Sequence, residues 1–281
     1  MRKLIHGIVD FRERLAPQYH ETFAQLALGQ KPDVLFVGCS DSRVVPNLFA
    51  STEPGDLFVI RNVGNLVAPC DSQGDEANIF DRSEAAAIEY AIEVLGVADI
   101  VVCGHSECGA TIALLDEKRQ LSPNLKSWLR HGKAAVERLK SGEHLDPTLP
   151  LHNQLSQINV LQQIEHLRTY PVIQNAIAQK RLRLSAWYFN IGSAEVETFD
   201  PIAEKFVPID RAMAERLLKA MGEDSFDPKR SSIVPWQYAV ENKPHAGQGA
   251  SYVAHCCLAQ TEKDSGAFGS PSAGTSWPLA E

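Results

Sequence analysis

Two turns constrain this chain more than any other feature. Asp33-Val-Leu-Phe-Val-Gly38 is a short apolar run that leads directly into Cys39-Ser-Asp-Ser-Arg43, and Asp99-Ile-Val-Val-Cys103 leads into Gly104-His-Ser-Glu-Cys108. Runs this short, β-branched and closed by Gly, read as buried strands rather than helices. Strands apolar on both faces belong to a parallel sheet covered by helices. In such sheets the turns at the carboxyl ends of strands are where sites assemble. Two cysteines and a histidine are thereby delivered to one edge of one sheet.

The rest of the chain fits that frame. Asp56-Leu-Phe-Val-Ile-Arg61 is a further strand, and Leu182 to Asn190 and Glu195 to Phe199 read as two more, a hairpin around Gly192. Ser83 to Leu95 has apolar residues at helical spacing and stops at Gly96. Ala110 to Leu115, 124–140 and 152–180 read as helices, as do residues 1–30, with Ile5, Ile8, Val9, Phe11 and Leu15 apolar. The fold class expected is α/β: a mostly parallel central sheet flanked by helices, with a C-terminal extension. The composition changes near residue 205, so residues 1–205 are expected to form the main domain. Residues 206–281 are expected to add one short helix, Arg211 to Met221, and then a Gly/Pro/Ser-rich flexible tail.

Composition removes several classes. A net charge of -8 with no clustered basic surface argues against nucleic acid. No stretch approaches 18 apolar residues, so no membrane partner is expected. Asp10 and Glu13 interrupt the N-terminus too early for a leader peptide, and a cytoplasmic location follows by default. The six cysteines in a chain of 281 residues do not read as a disulfide framework, and in a reducing compartment spaced cysteines point to metal or catalysis.

Cys39, His105 and Cys108 make a Cys₂His set, which leaves one tetrahedral position open and so marks a catalytic rather than a structural Zn²⁺ site. Two thiolates neutralise the dication, so a water bound there loses its proton less readily than at a three-histidine site. Asp41 can accept a hydrogen bond from that water. Arg43 can hold Asp41 ionised through a forked pair and keep it off the metal.

At this point the residues resemble a known family. Cys39-Ser-Asp-Ser-Arg43, Phe58-Val-Ile-Arg-Asn-Val-Gly-Asn65, Glu89-Tyr-Ala91 and Gly104-His-Ser-Glu-Cys-Gly109 are similar to the motifs of the β-class carbonic anhydrases, over about residues 1–200. The resemblance implies reversible hydration of CO₂ to bicarbonate and a proton, by attack of zinc-bound hydroxide on CO₂. It also implies Asp41–Arg43 as the catalytic dyad and a homodimer or higher homo-oligomer, with the N-terminal helix packed on a neighbouring subunit. In the plant-like subgroup a Gln, a Phe, a Val and a Tyr line the substrate pocket; the matching positions are Gln30, Phe58, Val63 and Tyr90. Gln30 would offer its amide to bicarbonate from across the dimer interface. The other subgroup has a regulatory Trp three residues before the first Cys, where this chain has Phe36. An open site follows, with water as the fourth ligand.

Some residues depart from the pattern. Residues 70–82 form a longer and more acidic loop than the family pattern leads one to expect, read as a surface insertion, and Glu107 receives no role. Cys70 and Cys103 lack ligand spacing with a histidine; His255-Cys256-Cys257 in the tail has the donors to bind metal weakly or to oxidise, with incidental residues the preferred reading. The extension matches in length the tails of carboxysomal relatives that dock a scaffold protein; a helix followed by disorder is the preferred reading of it. Two other functions share these residues: hydrolysis of CS₂ or COS, and an assembly protein that keeps zinc only for folding. The Asp41–Arg43 pair argues against the second, since a structural site needs no dyad.

Overall fold

The computed structural model describes residues 1–70 and 82–222. The expectations for the acidic loop over 71–81, and for the tail from 223 with His255-Cys256-Cys257, fall outside the described residues.

In chain order the elements are α1 (Arg2–Asp10), a π turn (Phe11–Leu15), α2 (Ala16–Leu26), β1 (Val34–Cys39), α3 (Pro46–Phe49) and β2 (Leu57–Asn62). Then come α4 (Ser83–Tyr90) with a π turn (Ala91–Leu95), β3 (Asp99–His105), α5 (Gly109–Leu115), α6 (Pro123–Leu129) and α7 (Lys133–Lys140). The last described elements are α8 (Leu151–Leu167), α9 (Pro171–Ala178), β4 (Arg183–Asn190), β5 (Glu195–Asp200), β6 (Lys205–Pro208) and α10 (Arg211–Ala220).

The six strands form one sheet in the order β2-β1-β3-β4-β5-β6. β2, β1, β3 and β4 run parallel; β5 and β6 are added antiparallel. β1 and β3 are neighbours, with Gly38 opposite Cys103, so the turns that carry Cys39 and His105–Cys108 open side by side. One sheet face carries Leu35, Val37, Ile100 and Val102 against Ile88, Ile92, Val160 and Ile164 of the helical layer. The other carries Phe36, Val101, Cys103 and Phe189 against Val44 and Phe49, with the Phe49 and Phe189 rings stacked at 4.7 Å.

The structure corrects three expectations of the sequence. The helix expected over 152–180 is two helices, because Tyr170 takes an extended backbone ahead of Pro171, whose ring disfavours the helical conformation before it. The helix over 124–140 is interrupted by a 3₁₀ turn at Arg130–Gly132. The sheet continues past residue 205: β6 pairs with β5, and Phe206 is buried against Tyr188 and Phe199. The apolar residues of α1 stand exposed, Leu4 at 65% and Ile8 at 66%, so none of the described residues covers that stripe.

Candidate metal centre

Cys39 ends β1, His105 ends β3, and Cys108 immediately precedes α5. Their ligand atoms lie within 4.8 Å of one another, and all three residues are buried. His105 Nδ1 is 2.8 Å from the Ser106 carbonyl oxygen. A carbonyl can only accept, which puts the proton on Nδ1 and leaves Nε2 with a lone pair. Nε2 is buried without a hydrogen-bond partner. An orphaned buried polar atom is costly, and ligation of a metal by Nε2 removes that cost.

The sulfurs fit the same donor set. The Cys39 thiol is pushed down to about 4, chiefly by its contact with Cys108, and Gly64 N–H lies 3.4 Å from its sulfur. The Cys108 thiol is pushed up, by the neighbouring Cys39 sulfur and by burial. One thiolate is thus favoured already, and a cation bound to both sulfurs would favour the second. Gly64 reaches the sulfur with φ +86, a backbone glycine adopts freely, and a Cβ there would meet Ala110 Cβ at 2.8 Å. Two sulfurs and an imidazole nitrogen suit a borderline-soft divalent cation with one coordination position left over.

The Cys39 turn is held by guanidinium groups. Arg43 grips Asp41 with a fork, Nε to Oδ1 at 2.9 Å and Nη2 to Oδ2 at 2.8 Å, while its backbone N–H adds 3.0 Å to Oδ1. This pairing keeps the Asp41 carboxyl well below the usual carboxylate range. Arg43 Nη2 also donates to the Glu107 carbonyl at 3.0 Å, which ties the two turns together. Arg61 on β2 donates to the Cys39 carbonyl at 2.7 Å and to the Asp41 carbonyl at 2.7 Å.

The His105–Cys108 turn is held instead by buried polar side chains of α8. Ser156 Oγ donates to the His105 carbonyl at 2.8 Å, and Asn153 Oδ1 accepts from Glu107 N–H at 2.8 Å. Asn159 donates to the Gly64 carbonyl at 3.2 Å, and Gln163 accepts from Val67 N–H at 2.9 Å. Gly104 permits this close approach of α8, since a Cβ there would lie 2.5 Å from Val160 Cγ2. Sequence reasoning passed over Arg61 and this helix stripe. The signal for the stripe was present: 153, 156, 159 and 163 fall on one helix face beside Leu155 and Ile158.

The pocket residues are distributed differently. The Phe58 ring lies 5.9 Å from the Tyr90 ring. Val63 and Tyr90 are 42% and 43% exposed, and the Val63 carbonyl accepts from Trp128 Nε1 at 2.8 Å. Val63 borders a cavity of about 530 Å³ shared with Val59, Arg61 and Trp128. Gln30 is exposed before the amino end of β1, while Cys39 closes the other end, roughly 16 Å of strand away. Phe36 is buried in the core on the opposite sheet face from Leu35 and Val37.

The sequence led us to expect no clustered basic surface, and one groove of the described surface bears on that expectation. Lys118, Arg119, Lys126, Arg130, Lys133 and Lys140 border one groove of about 710 Å³. Asp116, Glu117 and Glu137 share that groove, and Glu117 pairs with Lys140, so the surface is mixed rather than a phosphate track.

Comparison with known proteins agrees with this geometry. A family model described as carbonic anhydrase matches residues 34–196. The carbonic anhydrase of Pseudomonas aeruginosa is 40% identical over 214 residues, which cover 74% of this chain and 92% of the relative. The structure of the β-carbonic anhydrase CcaA superposes with a TM-score of 0.65 at 37% identity, covering 75% of this chain and 92% of that one. A tetrameric β-carbonic anhydrase from Sordaria macrospora does so with a TM-score of 0.60 at 30% identity, covering 70% and 97%.

Proposed function

The chain belongs to the β-class carbonic anhydrase family, enzymes that hydrate CO₂, and on that premise we propose that Cys39, His105 and Cys108 hold a zinc ion. When bound, zinc supplies a Lewis acid that makes water a nucleophile at neutral pH. The two thiolates cancel its charge, so the orientation of that water falls to Asp41. With Arg43 occupying one edge of the carboxylate, Asp41 keeps lone pairs free to accept a hydrogen bond from the attacking water. The same fork keeps Asp41 off the metal, and Phe36 in place of an indole removes a donor for regulatory bicarbonate. On this reading the site is of the open, plant-like type.

CO₂ is apolar and offers no charge to grip. Phe58, Val63 and Tyr90 provide an apolar wall for it, and Gln30 would bring an amide to bicarbonate from a second subunit. The exposed stripe of α1 supports a homodimer or larger assembly, since an apolar helix face of this kind requires a partner. We assign residues 1–205 to the catalytic domain, 206–281 to the extension, whose first residues supply most of β6 to the catalytic sheet, and the whole to the cytoplasm. A scaffold contact through the tail, with carboxysomal association, belongs to the same proposal.

The observation that carries the reading is the Asp41–Arg43 fork beside a ligand trio whose histidine nitrogen is buried and unpartnered. Stopped-flow CO₂ hydration tests it, with metal analysis of the same preparation. Zinc at one per chain and rapid hydration, lost in Asp41→Ala, is the expected result. Full zinc loading with no hydration by the wild type would overturn it.

A further inference from the structure

Glu107 stands between two of the metal-binding residues with φ +56, a left-handed conformation unusual for a residue other than glycine. Four contacts hold it there. Its N–H donates to Asn153 Oδ1 at 2.8 Å, and its carbonyl accepts from Arg43 at 3.0 Å. Its carboxylate accepts from Asn153 Nδ2 at 3.1 Å and pairs with His152 Nε2 at 3.1 Å. Strained backbone held by this many partners recurs at functional sites. Here the outcome is a histidine fastened to the metal turn by a single carboxylate.

We propose that His152, oriented by Glu107, is the group that carries the proton of the reaction out to solution; this rests on the CO₂-hydration reading. A carboxylate accepts, so Nε2 bears the hydrogen and Nδ1 bears the lone pair. Nδ1 has no hydrogen-bond partner among the described residues. The side chain is 25% exposed, and that of Glu107 is 52% exposed, so the pair lies at the surface of the turn. Among the described residues, the charged groups that contact this turn are Glu107 itself and Arg43, on the Glu107 carbonyl. Other described histidines are differently placed: His131 is buried, and His144 and His166 have Nδ1 engaged, with Gln154 and with the Val67 carbonyl.

The step balances without any other reagent. Hydration of CO₂ by one water yields bicarbonate and one proton. That proton passes through solvent water to His152 Nδ1 and forms an imidazolium, whose charge faces the Glu107 carboxylate. A buffer base then removes it, which restores the neutral ring with its hydrogen on Nε2. Histidine is suited to this because its ordinary titration lies between pH 5 and 8. The proton is released after attack on carbon, so the residue should influence turnover and not the capture of CO₂.

Stopped-flow hydration in a few millimolar buffer tests the proposal. His152→Ala should lower kcat about 10-fold with kcat/KM within twofold, and added imidazole should restore kcat in a saturable way. Glu107→Gln should give a smaller fall in kcat. Independently of activity, ¹⁵N-histidine NMR should show the signal lost in His152→Ala as the tautomer protonated on Nε2, and Glu107→Gln should shift it. Zinc content should be unchanged in both variants. An unchanged kcat at the lowest buffer, or a parallel loss of kcat/KM, would overturn the proposal, as would the Nδ1-protonated tautomer. Absence of hydration by the zinc-loaded wild type would remove the functional reading too, and the NMR result would still show whether the pair exists.

Discussion

The two halves of the sheet are built from different materials. The parallel half, β2-β1-β3-β4, ends in turns secured by polar groups: Arg43 and Arg61 at the solvent side, Asn153, Ser156 and Asn159 in the interior. The antiparallel half, β5 and β6, is secured chiefly by rings, with Phe206 5.8 Å from Tyr188 and 5.5 Å from Phe199. Hydrogen bonds have direction and rings largely do not, so the first half specifies where atoms sit and the second holds the sheet closed. The division teaches that chemistry and stability are separable here, and each substitution below tests that separation.

The largest effect is expected at Asp41. Asp41→Asn keeps the shape but weakens the acceptor and the ion pair, so kcat/KM for hydration should fall by about 10²–10⁴-fold. The melting temperature should move little, because the pair is open to water on the Arg43 side. Kinetics and calorimetry on the same sample check both halves of that expectation. Phe206→Ala should do the reverse. Emptying a buried ring site costs about 3–5 kcal/mol, read by chemical denaturation, while kcat/KM per folded molecule stays at the wild-type value. Loss of activity in folded Phe206→Ala would show that the antiparallel half also positions the turns.

Much of this was legible in the sequence, and the physical reasons differ by residue. β1 and β3 were readable because short apolar runs closed by Gly have few alternatives, and Cys39, His105 and Cys108 follow those runs directly. Asp41 and Arg43 were readable from their spacing to Cys39. β6 was not, because Lys205-Phe-Val-Pro208 is four residues with a single buried ring, too short for any periodicity. The polar face of α8 was missed for a different reason. Asn, Ser and Gln on a helix ordinarily face water, and only the fold shows that these reach backbone atoms of the metal turns. Gln30 was singled out by resemblance, and one chain cannot bring it to the ligands, since β1 lies between.

Asn153 tests the division within the parallel half alone. Its amide holds Glu107 at both backbone and carboxylate, so Asn153→Ala leaves the partly buried Glu107 N–H without that partner. A destabilisation of about 1–3 kcal/mol is expected, together with weaker metal retention in a chelator competition. The same competition on Phe206→Ala should match the wild type. Equal metal loss in the two variants would show that α8 supports the turn only through general stability.

The smallest effect is expected where the antiparallel half uses charge. Arg216 on α10 pairs with Asp200 at the end of β5 at 2.7 Å, and Ile202 N–H donates to the same carboxylate at 3.0 Å. Arg216 is the leading cause that holds the Asp200 carboxyl below its ordinary range. A depressed folded pKa gives stability that is fully present above the unfolded value, about 3.9, and is lost as pH falls through the lower folded value. Protection of α10 against hydrogen exchange, relative to the intrinsic rate at each pH, should therefore be flat from neutral pH down to about 4 and fall only below it. In Arg216→Ala the protection of α10 should be lower already at neutral pH and its acid step smaller, with no change in the protection of β1 or β3. If β1 and β3 loosened along with α10, the two halves would be one cooperative unit and the separation of chemistry from stability would not hold at the level of local opening.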